Sequence, residues 1–199
     1  METCDFSILK DIMYNCAKPV SKGLRNTGYI YNYDDIDWDK VTYDETTPNI
    51  ITALPMKEGK KGYKIAIPGK TPFTGTTTSM AEGTYRNNFT KSVAVVILDA
   101  GPDVSHNIID PMANGKFLVV LENQYQGTDK KNTFQVFGVE QGLSASAIES
   151  DKYSDDTQGG TSVTLQEADA PTFAYYLFDT DIAATREMLE STLTVSPGE

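Results

Sequence analysis

The chain has 199 residues, of which 39% are hydrophobic and 10% aromatic, a composition too apolar for a disordered protein. Its formal charge of -11 argues against binding of free nucleic acid, which relies on clustered lysines and arginines. The longest apolar run, Val93 to Leu98, is far shorter than the roughly 20 residues of a membrane-spanning helix, and the N-terminus lacks a signal-peptide layout. We therefore expect a protein made in the cytoplasm, with no membrane partner.

The first segment, Cys4 to Leu24, is predicted to contain a short helix that ends near Pro19. Its apolar residues recur at a spacing close to one helical face: Phe6, Ile8, Leu9, Ile12 and Met13. The cysteines in this segment, Cys4 and Cys16, have no histidine cluster beside them and therefore do not match a standard zinc site. We interpret them as reduced thiols, and the sequence predicts no metal site and no cofactor.

Three stretches between residues 29 and 100 are predicted to form strands. Tyr29 to Tyr33 alternates and is aromatic, which is typical of a strand. Pro48 to Gly75 alternates short β-prone pieces with glycine, proline and lysine turns, which favours edge strands and loops. Thr84 to Ala100 ends in continuous β-branched residues and is predicted to be one long strand, buried at its C-terminal end.

The middle of the chain is predicted to form a helix followed by a hairpin. Asp103 to Asn114 can form a short helix that Pro111 interrupts and Gly115 ends. KFLVVLENQY and NTFQVFGVEQ are then two apolar strands joined by the polar loop QGTDKKN. Such a pair, with glycine and aspartate in the connection, indicates a β-hairpin.

The last third is predicted to contain an exposed polar arm, a strand pair and a terminal helix. Residues 144–160 are rich in serine and acid and end in a double glycine, which predicts a long connection or arm. TSVTLQEA and TFAYYLFDT are interpreted as a second strand pair around Pro171. Asp181 can cap a C-terminal helix over about 181–193. The chain is thus predicted to be one mainly β domain over residues 1–199, a β-sandwich or half-barrel with two or three short helices.

The acidic loop over residues 34–45 partly matches the calcium-binding loop of helix-loop-helix proteins. Asp35, Asp37 and Asp39 fall at positions one, three and five of such a loop. Lys40 then stands where glycine is needed, and Thr46 where a bidentate glutamate should close the site. We therefore predict no tight calcium site.

Side chains that could support catalysis are present but lack the context that catalysis requires. The single histidine, His106, has no nucleophile motif near it, and no sequence pattern of a hydrolase elbow, metalloprotease, phosphate loop or dinucleotide fold occurs. Carboxylate pairs such as Glu140 with Glu149, or Asp155 with Asp156, are expected in any chain this acidic. The sequence therefore predicts no catalytic residues, and the protein is not expected to be an enzyme.

The stretch from Lys116 to Asp179 resembles the second half of phage tail-tube (major tail) proteins, in particular those of phages and prophages of Bacteroides-type bacteria. The resemblance depends on the exit of a strand at Gly138 to Leu143, the entry Gly159-Gly160 into Thr161 to Leu165, and the aromatic strand after Pro171. These features cover about a third of the chain, by a rough count.

The resemblance implies a virion structural protein whose β-sandwich or half-barrel carries a flanking helix. It also implies that six copies close into a ring and that rings stack into a tube through which DNA passes without specific binding. The expected partners are therefore further copies of the chain and other tail proteins, and the expected location is the virion tail. An acidic chain suits such a conduit, because clustered cations would trap the polymer.

The alternative function is a non-catalytic binding module, such as a carbohydrate-binding or adhesin-like β-sandwich. Its signature would be a set of exposed aromatic side chains on one face of the sandwich. The candidate side chains are Tyr29, Tyr31, Tyr33, Tyr175 and Tyr176.

Overall fold

A computed structural model describes residues 7–195 of the chain and contains two β-sheets and three helical regions. The strands are β1 (Leu24–Asn32), β2 (Thr42–Tyr43), β3 (Ile50–Ala53), β4 (Tyr63–Ala66), β5 (Phe73–Ala81), β6 (Asn88–Ile97), β7 (Phe117–Asn123), β8 (Phe134–Phe137), β9 (Ser144–Ser150), β10 (Thr161–Ala170) and β11 (Tyr175–Leu177). The helices are α1 (Pro102–Val104), α2 (Asp110–Asn114) and α3 (Ile182–Ser191). Single turns of 3-10 helix lie at Tyr33–Asp35 and Trp38–Lys40.

The strands form a large and a small sheet. The large sheet has the order β2-β3-β11-β8-β7-β1-β4, and the small sheet has the order β5-β6-β10-β9. All pairings between these strands are antiparallel except the parallel pair of β3 with β11. The prediction of a mainly β, sandwich-like fold with two or three short helices is confirmed.

Strand β7 lies between two hydrophobic cores because both of its faces are buried. Its sequence, FLVVLEN, is apolar without alternation, as expected for a strand covered on both sides. Leu118 and Val120 point to a core that is completed by α3. Phe117, Val119 and Leu121 point to a second core, between the two sheets. The molecule therefore has three layers, with the large sheet between the small sheet and α3.

Helix α3 starts at the position that the sequence predicts. The Asp181 side chain accepts a hydrogen bond from the Ala184 backbone N–H at 2.8 Å, which satisfies one of the free donors at a helix start. Near the other end, Glu190 Oε1 accepts hydrogen bonds from Tyr29 Oη at 2.8 Å and from Lys64 Nζ at 2.7 Å. These two bonds attach the helix to β1 and β4.

The hydrogen bond from Lys64 lowers the pKa of Glu190 below its usual value; partial burial opposes this shift, and the bond from Tyr29 supports it. A carboxyl whose pKa is lower in the folded state stabilises the fold above its unfolded pKa, about 4.3. That contribution is lost as the pH falls through the lowered value. Because the pair is partly exposed, solvent screening limits it to about 0–1 kcal/mol.

We therefore expect Glu190→Gln to lower the free energy of unfolding by up to about 1 kcal/mol at pH 7. The difference in unfolding free energy from the native chain should shrink below about pH 4. It should vanish at lower pH, where the protonated carboxyl of Glu190 is as neutral as the glutamine of the variant. Urea unfolding at a series of pH values measures this. Glu187→Gln, on an exposed position of the same helix, is the control, and a loss that is constant with pH would contradict the assignment.

The predicted N-terminal helix is absent from the described part of its range, residues 7–23. Ile8, Leu9 and Ile12 are 79%, 88% and 89% exposed, so the apolar stripe has nothing to pack against. A short helix in water depends on such packing for its stability. Cys16 is exposed and free, whereas Cys4 and Phe6 lie outside the described residues.

The predicted polar arm at residues 144–160 is wrong over its first half. Ser144–Ser150 is strand β9, which pairs antiparallel with β10, and residues 151–160 form the turn that joins them. Ala145 and Ile148 pack against the second core. Small and polar residues conceal this strand in the sequence, because only these two side chains provide apolar contact.

The predicted strand pair around Pro171 is also wrong, since β10 and β11 belong to different sheets. β10 pairs with β6 and β9, whereas β11 pairs with β3 and β8. Proximity in sequence suggested a hairpin. The chain instead crosses from the small sheet to the large sheet at Pro171.

The predicted helix before β7 is present, and the hairpin of β7 with β8 is confirmed. Pro111 does not interrupt the helix. Helices α1 and α2 are joined by a π-helical segment, Ser105–Ile109, and the chain stays helical through Pro111 to Asn114. Pro111 then lies in the first turn of α2, where its missing N–H is tolerated. Within residues 7–195, no helix has the length and apolar content that crossing a membrane requires.

Candidate functional site

The small sheet ends in two strands whose outer edges have no partner strand within the described residues. β5 pairs only with β6, and β9 pairs only with β10. β5 reads FTGTTTSMA, with no charge and no proline, and β9 reads SASAIES, with Glu149 as its one charge. Proteins usually protect long edges with lysine, proline or an inward-pointing charge. These two edges carry almost no such protection.

The outer face of the small sheet, which points away from the large sheet, is nearly uncharged. Val93, Val95, Val163 and Leu165 point to the core, so their sequence neighbours point outward. Residues directly opposite in antiparallel strands have their side chains on the same face of the sheet. The pairings of β5 with β6 and of β9 with β10 therefore show which side chains of the two edge strands also point outward. The outer face therefore consists of Gly75, Thr77, Ser79, Ala81, Asn88, Thr90, Ser92, Ala94, Val96, Ser144, Ala147, Glu149, Ser162, Thr164 and Gln166.

A buried ion cluster of Lys91, Glu140 and Glu167 lies at the end of the second core. Lys91 is 1% exposed, and its Nζ lies 2.9 Å from Glu140 Oε2 and 3.3 Å from Glu167 Oε2. The contact with Glu167 Oε2 is an ion pair without hydrogen-bond geometry. The other oxygen of Glu167 accepts from the backbone N–H groups of Glu140 and Gln141 at 3.0 and 2.8 Å.

This ion cluster fixes the corner where the chain passes from β8 to β9. Glu140 belongs to that corner, and its Oε1 also accepts the Thr172 N–H at 3.1 Å. Tyr33 Oη donates to the carbonyl oxygens of Val139 and Glu140 at 3.1 Å each. None of the three charged side chains lines the groove beside β4 or the groove beside β5. We interpret the cluster as structural, positioning the start of the free edge strand β9.

Two acidic side chains of the loop at residues 34–45, Asp35 and Asp37, form ion pairs with neighbouring lysines. Asp35 forms an ion pair with Lys60 at 2.9 Å and accepts a hydrogen bond from Asn32 at 2.8 Å. Burial alone would raise the pKa of Asp35, but these bonds outweigh it and lower the pKa. Asp37 forms an ion pair with Lys40 at 2.9 Å. Over residues 7–195, no group of three or more histidine, cysteine or acidic side chains is placed to hold a metal ion.

The histidine and the carboxylates that could support catalysis lie apart from one another in the fold. His106 is exposed in the π-helical segment, and Asp155 and Asp156 are exposed in the turn after β9. Glu140 belongs to the ion cluster, whereas Glu149 is exposed on β9. Neither carboxylate pair is thus placed in a cleft.

The tyrosines that a binding module would expose do not form an exposed face. Tyr29 and Tyr31 are buried in the first core, at 2% and 0% exposure. Tyr33, Tyr175 and Tyr176 are half-buried. The alternative of a carbohydrate-binding or adhesin-like module therefore loses its main support.

Sequence reasoning missed the ion cluster, although a signal for two of its members is present. Lys91, Val93 and Val95 alternate along β6 with the period of two that places side chains on one face of a strand. Glu167 continues the series of Val163 and Leu165 in the same way. Two opposite charges at core-facing positions of neighbouring strands indicate a buried pair.

Comparison of the chain with protein-family models, with curated proteins and with solved structures found no significant match. The sheet edges and the outer face of the small sheet are therefore the features of this molecule from which a function can be inferred.

Proposed function

We propose that the chain is a virion structural protein, a tail-tube (major tail) subunit whose copies form rings that stack into a conduit for DNA. The observation that carries this proposal is the pair of unprotected edges, β5 and β9, on opposite sides of one sheet. The edge of β9 in one copy can pair with the edge of β5 in the next. Such a head-to-tail contact closes into a ring when the rotation between copies permits it.

The small sheet supplies a suitable number of strands for a wide channel. Six copies with four strands each would give about 24 strands, which at about 4.8 Å spacing and about 40° tilt close a barrel about 48 Å across. Membrane barrels of 16–18 strands already enclose an aqueous channel. A ring of this kind therefore leaves a lumen wider than a DNA duplex.

The outer face of the small sheet would line that lumen. The outer face carries mostly serine, threonine, alanine and glutamine side chains and has no lysine or arginine. Phosphate binding depends on such cations. DNA would therefore pass without specific binding. The protein would be made in the cytoplasm of the host bacterium and would function in the virion tail with other tail proteins.

Charged side chains on both free edges should decide whether rings form. We expect Ser79→Lys combined with Ala147→Lys to abolish rings, because lysine on a strand edge opposes the addition of a further strand and the two added charges repel across each interface. Ser79→Glu with Ala147→Lys should restore them. Light scattering and electron microscopy at high protein concentration measure the outcome.

Ala183→Lys, on an exposed position of α3, is the matched control and should leave assembly unchanged. Monomer at every concentration in the native chain, also in the presence of preformed tail tips as nuclei, would contradict the proposed function. Normal rings from the variant with lysine on both edges would show that other surfaces join the copies.

A further inference from the structure

The buried ion cluster of Lys91, Glu140 and Glu167 contains a polar atom that an ordinary ion pair does not explain. Glu167 Oε2 is buried and accepts no hydrogen bond from any group within residues 7–195, although it lies 3.3 Å from Lys91 Nζ. Native proteins rarely leave such an atom unsatisfied, and an exception points to strain or to a chemical role. The cluster also sets two carboxylates against one ammonium, one carboxylate more than an ion pair needs.

The cluster brings together an amine, a carboxylate and a second carboxylate that can act as a base. Lys91 is 1% exposed, and its Nζ lies 2.9 Å from Glu140 Oε2 and 5.5 Å from the centre of the Tyr175 ring. A lysine amine becomes a nucleophile when it is withdrawn from water and stands beside a base. Groups held at such short distances also react without first having to meet, which removes much of the barrier.

The hydrogen bonds of the two glutamates differ, and the difference assigns their roles. Glu167 Oε1 accepts the backbone N–H groups of Glu140 and Gln141, which fixes this carboxylate and leaves its Oε2 able to carry a proton. Glu140 Oε1 accepts the Thr172 N–H at 3.1 Å. That bond stabilises the negative charge that develops on Oε1 when a nucleophile attacks the carboxyl carbon. Glu140 Oε2, which lies beside the amine, is then the oxygen that leaves.

We propose that Lys91 and Glu140 condense to an isopeptide bond within one chain, with Glu167 as the general acid and base. Glu167 Oε2 takes a proton from the Lys91 ammonium and gives it to Glu140 Oε2, and the neutral amine attacks Glu140 Cδ. A second proton follows the same route from the nitrogen, and the bond from Cδ to Oε2 breaks. The two protons and Oε2 leave as water, so Glu167 ends as a carboxylate and no oxidant or other reactant is consumed.

The ion cluster is the resting state from which the bond forms. Both charged partners must be neutralised by proton transfer before the attack, so condensation is slow compared with folding, and the freshly folded chain contains the ion cluster. The product joins β6, which carries Lys91, to the corner between β8 and β9, which carries Glu140. The start of the edge strand β9 is then held covalently. The reaction needs only one folded chain and does not depend on the tail-tube function.

Mass spectrometry of the intact, full-length chain follows the reaction. During several days of incubation at pH 7, below the unfolding temperature, we expect most molecules to lose one water molecule, about 18 Da. Lys91→Arg is the matched control, because a guanidinium keeps the positive charge beside both carboxylates but does not condense with them. Its mass should stay unchanged. A constant mass of the native chain, or an equal loss in the arginine variant, would overturn the proposal.

Tryptic digestion of the incubated chain locates the bond. Trypsin does not cleave after an acylated lysine, so residues 87–116 should remain one peptide and should be linked to residues 132–152, which contain Glu140. A link from Lys91 to residues 153–186, which contain Glu167, would contradict the roles assigned to the two glutamates. Peptides cleaved after Lys91, without any linked product, would contradict the bond itself.

Two further variants test the chemistry of the glutamates, with circular dichroism to establish that each is folded. Glu140→Gln should lose ammonia, about 17 Da, in place of water, because the amide nitrogen is then the leaving group. Glu167→Gln keeps the contact of Lys91 with Glu140 but removes the proton carrier, so the mass loss should slow by about 100-fold or more. Loss of water at the native rate in folded Glu167→Gln, or no ammonia loss in folded Glu140→Gln, would overturn the mechanism.

Discussion

Replacing Lys91 by methionine is expected to lower the free energy of unfolding by about 3–5 kcal/mol, because it leaves uncompensated buried charge. Glu167 is fully buried and Glu140 is 15% exposed at its side chain. Without the ammonium between them, the two carboxylates repel each other, and Glu167 has no access to water that would screen its charge. Methionine fills most of the volume of the lysine stem, so lost packing contributes little.

Urea unfolding of the variant measures this loss, with Lys70→Met at an exposed position as the control. A triple variant, Lys91→Met with Glu140→Gln and Glu167→Gln, should recover most of the stability, because no unpaired charge then remains. An exposed ion pair contributes less than about 1 kcal/mol. A loss of that size for Lys91→Met alone would show that water enters or that the structure rearranges so as to solvate the two carboxylates.

The second large effect is expected for Gly138→Ala, at the start of the corner between β8 and β9. Gly138 has φ +85°, a left-handed conformation that strains residues other than glycine. An added Cβ would lie 2.6 Å from the Phe117 carbonyl oxygen and 2.9 Å from the Leu143 nitrogen. The Leu143 N–H donates to this Phe117 carbonyl oxygen at 2.7 Å, and the Phe117 N–H donates to the Leu143 carbonyl oxygen at 2.9 Å, so neither atom can move away without loss of a hydrogen bond.

Backbone strain of about 1–3 kcal/mol and overpacking of similar size predict a total loss of about 2–6 kcal/mol. Gly69→Ala is the matched control, since Gly69 has φ +72° but open space around the added carbon. It should cost only about 1–2 kcal/mol. Equal losses for the two variants in thermal unfolding would show that conformation alone, and not the close approach at the corner, accounts for the effect.

The sequence predicted elements with a strong local signal and missed those that depend on tertiary contacts. The apolar run of β7 and the cap at Asp181 are local, and both are present. β9 was missed because its pairing with β10 does not require apolar side chains. The spacing of the apolar residues from Ile8 to Met13 predicts a helix, but spacing alone cannot reveal whether a surface exists for the helix to pack against.

For the candidate assembly site too, the sequence reveals the features that are local and only the fold reveals the rest. The neutral composition of β5 is visible in the sequence, but only the strand order shows that β5 and β9 are the two edges of one sheet. Lys91 and Glu167 stand at core-facing positions that the period of two reveals. Glu140 joins them only through the fold, because it lies in the corner after β8 and not in a strand.

The insertion of β11 between β3 and β8 has a consequence for synthesis on the ribosome. β3 contacts the rest of its sheet through β11, and β11 is made about 120 residues later, a delay of about 6–25 s at roughly 5–20 residues per second. During that delay, Ile50 and Ile51, which are buried in the finished molecule, lack their neighbouring strand. During most of its translation, the nascent chain therefore has an unpaired strand edge with exposed apolar side chains, which favours binding by a chaperone.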